Sequence, residues 1–169
     1  TQHLINLGHR KIAMIRGPMY DLQAGKERVL GYKTALREND IEIKEDYISQ
    51  GDFTIEGGYQ AMKEIFTSKE KPTAVFSASD KMAIGALNCC LDRGLEVPED
   101  ISIAGFDDME LATAVRPELT TIHQDQVQKG IKTAEILLDI IDKEKEGAYN
   151  IQLPYSLIKR DSTRNIKSS

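Results

Sequence analysis

The apolar positions of this chain fall into short runs and helical stripes that alternate along its length. Residues 11–15 (KIAMI) make a compact apolar run ended by Gly17-Pro18, which predicts a buried strand. Over about 25–39, Val29, Tyr32, Lys33 and Leu36 share one helical face, the lysine lying along it by its stem. A weaker strand at 47–50 runs into Gly51-Asp52-Phe53. Thr54 then has the place of an N-cap, with Glu56 in the first turn of a helix that ends near Ser68 and turns Tyr59, Met62, Ile65 and Phe66 inward. Strands at 74–78 and 101–105 enclose a helix over about 81–93, stopped by Gly94. A short extended piece at 120–123 follows Pro117. The most periodic helix comes next, with Val127, Ile131, Ala134, Leu138 and Ile141 recurring at i, i+4, i+7, i+11 and i+14. Residues 152–159 alternate as a strand, and the tail from Asp161 is polar.

Strands separated by helices of roughly 10–15 residues are the signature of βαβ units. The fold class is therefore α/β, a parallel sheet flanked by helices. The opening residues 1–8 (TQHLINLG) read as the last turns of a helix closed by a glycine, so the chain is expected to be a piece of a longer protein. The helix over 81–93 stands apart. Met82, Ala83, Ile84, Ala86, Leu87, Cys89, Cys90 and Leu91 leave it almost no polar face, which predicts burial on two sides. One side is expected to meet the sheet and the other a second chain, the alternative being cover by loops of its own chain.

Composition narrows the function. The chain has 169 residues and a formal net charge of −5, with 40% hydrophobic and 29% charged residues, enough for a packed core. The acidic balance and the lack of a Lys/Arg stripe argue against direct gripping of nucleic acid, and no apolar run is long enough to span a bilayer. The two cysteines, Cys89 and Cys90, are adjacent, which suits neither a disulfide nor a zinc site and weakly favours a reducing compartment. His3, His9 and His123 lack metal-cluster spacing, and neither a dinucleotide fingerprint nor a P-loop is present, so no metal or cofactor is expected.

In open parallel sheets ligands bind beyond the C-terminal strand ends. There the first strand supplies Gly17 to Lys26 and then Arg28, the second Gly51-Asp52-Phe53, the third Ser77, Ser79 and Asp80, and the fourth Gly105-Phe106-Asp107-Asp108. An arginine, a ring, hydroxyls and carboxylates at one rim suit a sugar: the charged groups take paired hydroxyls while the ring stacks on a C–H face. Nucleophilic catalysis has no foothold, because no nucleophile–base pair emerges and no histidine follows any of the four core strands. Each residue also has an ordinary role open to it. Ser79 or Asp80 could cap the next helix, Asp107-Asp108 could cap a turn, Arg28 could be solvated, Phe53 could be core and His123 a satisfied structural histidine. A receiver-type Mg²⁺ site fits poorly, since the first strand ends in Gly17-Pro18-Met19-Tyr20 rather than in an acidic pair.

At these residues the sequence resembles the LacI/GalR family of bacterial transcription regulators. The matching stretches are 4–18 (LINLGHRKIAMIRGP), 27–36 (ERVLGYKTAL), 51–62 (GDFTIEGGYQAM), 72–87 (PTAVFSASDKMAIGAL), 94–108 (GLEVPEDISIAGFDD) and 117–124 (PELTTIHQ), with Leu153-Pro154 and 160–163 near the end. The resemblance implies a type I periplasmic-binding-protein-like fold: two α/β lobes, an effector in the cleft between them, and a separate N-terminal headpiece that binds operator DNA as a dimer. Residues 1–124 would be the C-terminal lobe, 125–153 would belong to the otherwise absent N-terminal lobe, and 154–169 would be the return strand and tail. It further implies effector contacts at Arg28 (R-x-x-G-Y), Phe53 (after G-D), Asp107 (first of G-F-D-D), Ser79, Asp80 and Gln124. Ser79 stands where the family has asparagine. The dimer seam would hold Met82, Ile84, Leu87, Leu111 and Val115. The function implied is a cytoplasmic homodimeric regulator, a repressor answering to a small sugar or related metabolite and not an enzyme; the alternative is an exported type I periplasmic sugar-binding protein. Without its partner lobe, the apolar face from Val127 to Ile141 is expected to be displaced onto a neighbour or capped.

Overall fold

The computed structural model describes residues 1–142 and 151–166, leaving aside the side chains of residues 22–24. Residues 143–150 of the expected lobe-crossing segment, and 167–169 of the expected tail, lie outside the described residues.

Four short strands form one parallel sheet in the order β2-β1-β3-β4: β1 (Ile12–Arg16), β2 (Ile48–Gln50), β3 (Ala74–Ser77) and β4 (Ser102–Ala104). Register is fixed by Met14 opposite Ile48 and Phe76, and by Phe76 opposite Ala104. Ile12 to Ile15 and Ala74 to Phe76 are buried on both faces, which is why each reads as a continuous apolar run rather than an alternation. Between them run α2 (Arg28–Arg37), α3 (Ile55–Ile65) and α4 (Asp80–Leu91), preceded by the short α1 (Gln2–Asn6). Right-handed crossovers put α2 on one face and both α3 and α4 on the other. The glycine closure after α1 holds, with Gly8 at φ 98° and the His9 amide returning to Leu4 O. The helix expected from residue 25 begins at Arg28, after a π-helical turn over Leu22–Glu27.

α4 is buried along its length except at Lys81, Asn88 and Leu91. Its sheet side packs as expected, and α3 of the same chain covers its outer side. The two helices approach at glycines: a Cβ on Gly58 would lie 2.7 Å from Met82 C, and one on Gly85 would lie 2.6 Å from Tyr59 N. Met82, Ile84 and Leu87 are buried largely by this chain itself, at 0%, 5% and 2% exposure. Cys89 and Cys90 are buried free thiols, and burial pushes the Cys90 thiol up to about 12.

β5 (Thr121–Gln124) joins the sheet through two parallel bridges, Ala104 with Thr120 and Asp107 with His123, and pairs antiparallel with β6 (Tyr155–Ile158). The four-residue α5 (Leu111–Ala114) precedes it. Beyond β5 extends α6 (Gln126–Ile141), capped by Asp125, which accepts from the Gln128 amide. None of its residues is buried. Val127, Ile131, Leu138 and Ile141 are exposed, so nothing among the described residues supplies the cover expected for that face.

Candidate functional site

The order β2-β1-β3-β4 puts a topological switch point between β1 and β3, where outgoing loops diverge and leave a crevice. Arg28, at the start of α2, occupies it. Its Nη1 donates to Ala78 O just past β3, its Nη2 donates to Asp107 Oδ1 at 3.3 Å, and its guanidinium carbon lies 3.7 Å from the Phe106 ring centroid. Burial lowers the Arg28 pKa and raises that of Asp107, while the charge of each partner opposes the shift. The ion pair is thus sequestered, with side-chain exposures of 17% and 27%, and one oxygen of Asp107 also receives Gln124 Nε2 at 3.4 Å.

Phe53 enters from the loop after β2. Its ring lies across Gly17, at which any Cβ would collide with the ring edge, so the residue closing β1 must be glycine for the aromatic wall to form. Arg28, Phe53, Ser79 and Asp107 line one cavity of about 290 Å³ with Asp21, Lys81 and Met109. Sequence reasoning missed the last two, and missed a stronger mark as well. Phe53, Asp107 and Asp108 have φ of 65°, 112° and 54°, left-handed values that non-glycine residues adopt at a cost. Two of them line the cavity and Asp108 is next in the chain, a sign of a constrained site, and none is legible in a sequence without glycine at those places.

Two expected contacts have other duties. Ser79 lines the cavity wall, yet its hydroxyl accepts from the Met82 amide as the N-cap of α4. Asp80 is fully buried behind the cavity. Its Oδ1 accepts from the Thr121 hydroxyl at 2.5 Å and its Oδ2 from the Met109 amide at 2.7 Å, so it cannot touch a ligand from there. Burial, together with the charges of Asp107 and Asp108, raises its pKa from 3.8 to about 6 against the pull of those two bonds. Asp108 also turns away from the cavity: Arg160 Nη2 donates to its Oδ1 at 2.6 Å, and His123 Nδ1 lies 2.9 Å from its Oδ2. No cluster of metal-ligating side chains occurs among the described residues.

The model of the periplasmic binding protein-like domain matches residues 1–163. The chain belongs to that family. Within it, the relatives are LacI-type regulators, as the residue motifs implied. Catabolite control protein A of Priestia megaterium is 37% identical over 97% of this chain and 49% of its own length. The HTH-type transcriptional repressor PurR of Pectobacterium carotovorum subsp. carotovorum is 42% identical over 95% of this chain and 47% of its own. Among solved structures, the transcriptional regulator CelR in complex with cellobiose superposes with a TM-score of 0.91 at 38% identity, covering 95% of this chain and 49% of that one. The lac repressor dimer bound to operator and the anti-inducer ONPF gives 0.89 at 34% identity, over 96% of this chain and 56% of that one. The chain thus spans about half the length of the curated relatives it matches. These relatives are named as regulators rather than enzymes, and no helix among the described residues is long and apolar enough to cross a membrane.

Proposed function

We propose that this periplasmic-binding-protein-like chain is the effector-binding part of a cytoplasmic LacI/GalR-type transcriptional repressor that answers to a small sugar. The observation that carries the reading is the convergence of Arg28, Phe53 and Asp107 on one cavity at the switch point of the sheet. Guanidinium and carboxylate offer paired donors and acceptors to vicinal hydroxyls, and the ring offers a flat apolar wall to a pyranose or furanose face. Gln124 extends the polar edge beside Asp107. Residues 1–124 form the C-terminal lobe of that domain, residues 125–153 belong to its N-terminal lobe, and 154–169 return to the first. Operator DNA is bound by an N-terminal headpiece, and the protein works as a homodimer. Leu111, at 39% exposure, and the half-buried Val115 lie on that dimer seam with Met82, Ile84 and Leu87 of α4 beneath it. An effector that binds two lobe arrangements unequally shifts their populations, and with them the headpiece spacing.

The test is calorimetric titration of the full-length regulator with a panel of sugars that includes ribose and cellobiose. One sugar of the panel is expected to bind, and Arg28→Ala is expected to weaken it at least tenfold, since a buried charge-assisted pair is worth about 1.5–3 kcal/mol. Absence of binding across the panel, or an unaffected Arg28→Ala, overturns the reading. The kinship with CelR and PurR favours a regulator over an exported binding protein.

A further inference from the structure

The loop that carries Asp107 needs outside help to keep its shape. Asp107 and Asp108 are both in left-handed backbone conformations, which aspartate tolerates only at some cost in free energy. One residue grips that loop at both of its ends. The Asp80 amide donates to Phe106 O at 2.8 Å, just before the two aspartates, and Asp80 Oδ2 accepts from the Met109 amide at 2.7 Å, just after them. Its other oxygen accepts from the Thr121 hydroxyl on β5, the strand that also takes the Asp107 amide on Ile122 O at 2.9 Å. The close packing of Gly105 against this carboxylate leaves no space for a side chain there.

We infer that Asp80 is a positioning residue of the candidate site: from behind the cavity it clamps residues 106–109 and so holds Asp107 where it meets Arg28 and the effector. This rests on the functional reading above but is separable from it. The clamp joins three elements, α4 by its own backbone, the loop after β4 by Phe106 and Met109, and β5 by Thr121. It therefore fixes the relative placement of the strand ends that build the cavity. Asparagine could keep the clamp, with its amide NH₂ donating to Thr121 Oγ1 and its oxygen accepting from Met109. Alanine could not.

The experiment is solution NMR on the chain without ligand, reading amide hydrogen exchange together with the Arg28 Nε–H resonance. In Asp80→Ala the Met109 amide is expected to exchange at least tenfold faster and the Arg28 signal to shift, while the amides of Ala13 and Ile15 in β1 keep their protection. Asp80→Asn is expected to restore both readouts. Thr121→Val, which frees one carboxylate oxygen without emptying the site, is expected to move them in the same direction by less, and it serves if the alanine variant does not fold. Unchanged Met109 exchange in both Asp80→Ala and Thr121→Val, or the same increase in β1, overturns the inference. Because no effector enters the measurement, a clamp that fails while a sugar still binds sinks this inference alone. A clamp that holds in a protein that binds no sugar sinks the functional reading alone.

Discussion

Gly85→Ala tests whether α3 truly covers α4. A methyl group at this position would stand 2.6 Å from Tyr59 N and 3.0 Å from Gly58 C, and closer still to the Ile55 carbonyl. All three are backbone atoms, so relief requires the whole of α3 to move away from α4. Forcing extra volume into a packed contact costs about 1–3 kcal/mol, against which alanine regains about 1 kcal/mol of helix propensity. With three backbone atoms overlapped the cost falls in the upper half of that range, so the net expectation is a loss of about 1–2 kcal/mol. Gly31→Ala in α2 is the matched control, since a Cβ there meets nothing within 4 Å. It should gain about 0.5–1 kcal/mol from propensity alone. One substitution type thus carries opposite signs at two helical sites. At roughly 2–4 °C per kcal/mol for a chain of this size, the two variants should separate by about 5–10 °C in a circular-dichroism melt. If Gly85→Ala melts with Gly31→Ala, above the parent, the close crossing of α3 on α4 is wrong.

Three further outcomes are expected. Asp80 has a folded pKa raised above its ordinary value, so its contribution to stability is fully present below 3.8 and is lost as pH rises through about 6, a cost of at most roughly 3 kcal/mol. Asp80→Asn should therefore gain in Tm relative to the parent between pH 5 and pH 8, and a constant difference would contradict this. His9 is buried between Thr73, Ser102 and the Arg164 carbonyl, and burial lowers its pKa below 6.5. The unfolded chain then binds more protons, so stability falls as pH drops below 6.5; His9→Gln should lessen that fall in urea titrations at pH 7.5 and 5.5, and equal falls would refute it. For the proposed homodimer, Leu111→Glu in the full-length regulator should shift sedimentation toward the monomer, and an unchanged sedimentation coefficient would contradict the seam.

What the sequence could tell followed from which forces act locally. β1 and β3 were legible because burial on both faces demands an unbroken apolar run, and α6 because its stripe keeps a 3.6-residue period even where nothing covers it. Burial of α4 was legible as well, but pattern cannot say what does the burying. The available clue was the pairing of Gly58 in α3 with Gly85 in α4, since small residues let two helix backbones meet. The four-residue α5 has no room for a period, so it went unseen. At the site, Arg28, Phe53 and Asp107 were found by motif and strand-end logic. The withdrawal of Asp80 into the interior was not, because a carboxylate at a strand end looks the same whether its oxygens face a ligand or a threonine two strands on.

The left-handed backbone at Asp107 also bears on how this cavity could diversify. Aspartate, asparagine and glycine tolerate such conformations, whereas a β-branched residue is barred from them. The repertoire open to this edge through single changes is consequently narrow: a carboxylate, its amide, or no side chain at all. Asp21, Ser79 and Lys81 line the same cavity on backbone that imposes no such filter. Drift in ligand preference is therefore expected to pass through those walls, with Asp107 left as the fixed edge against which new ligands are tried.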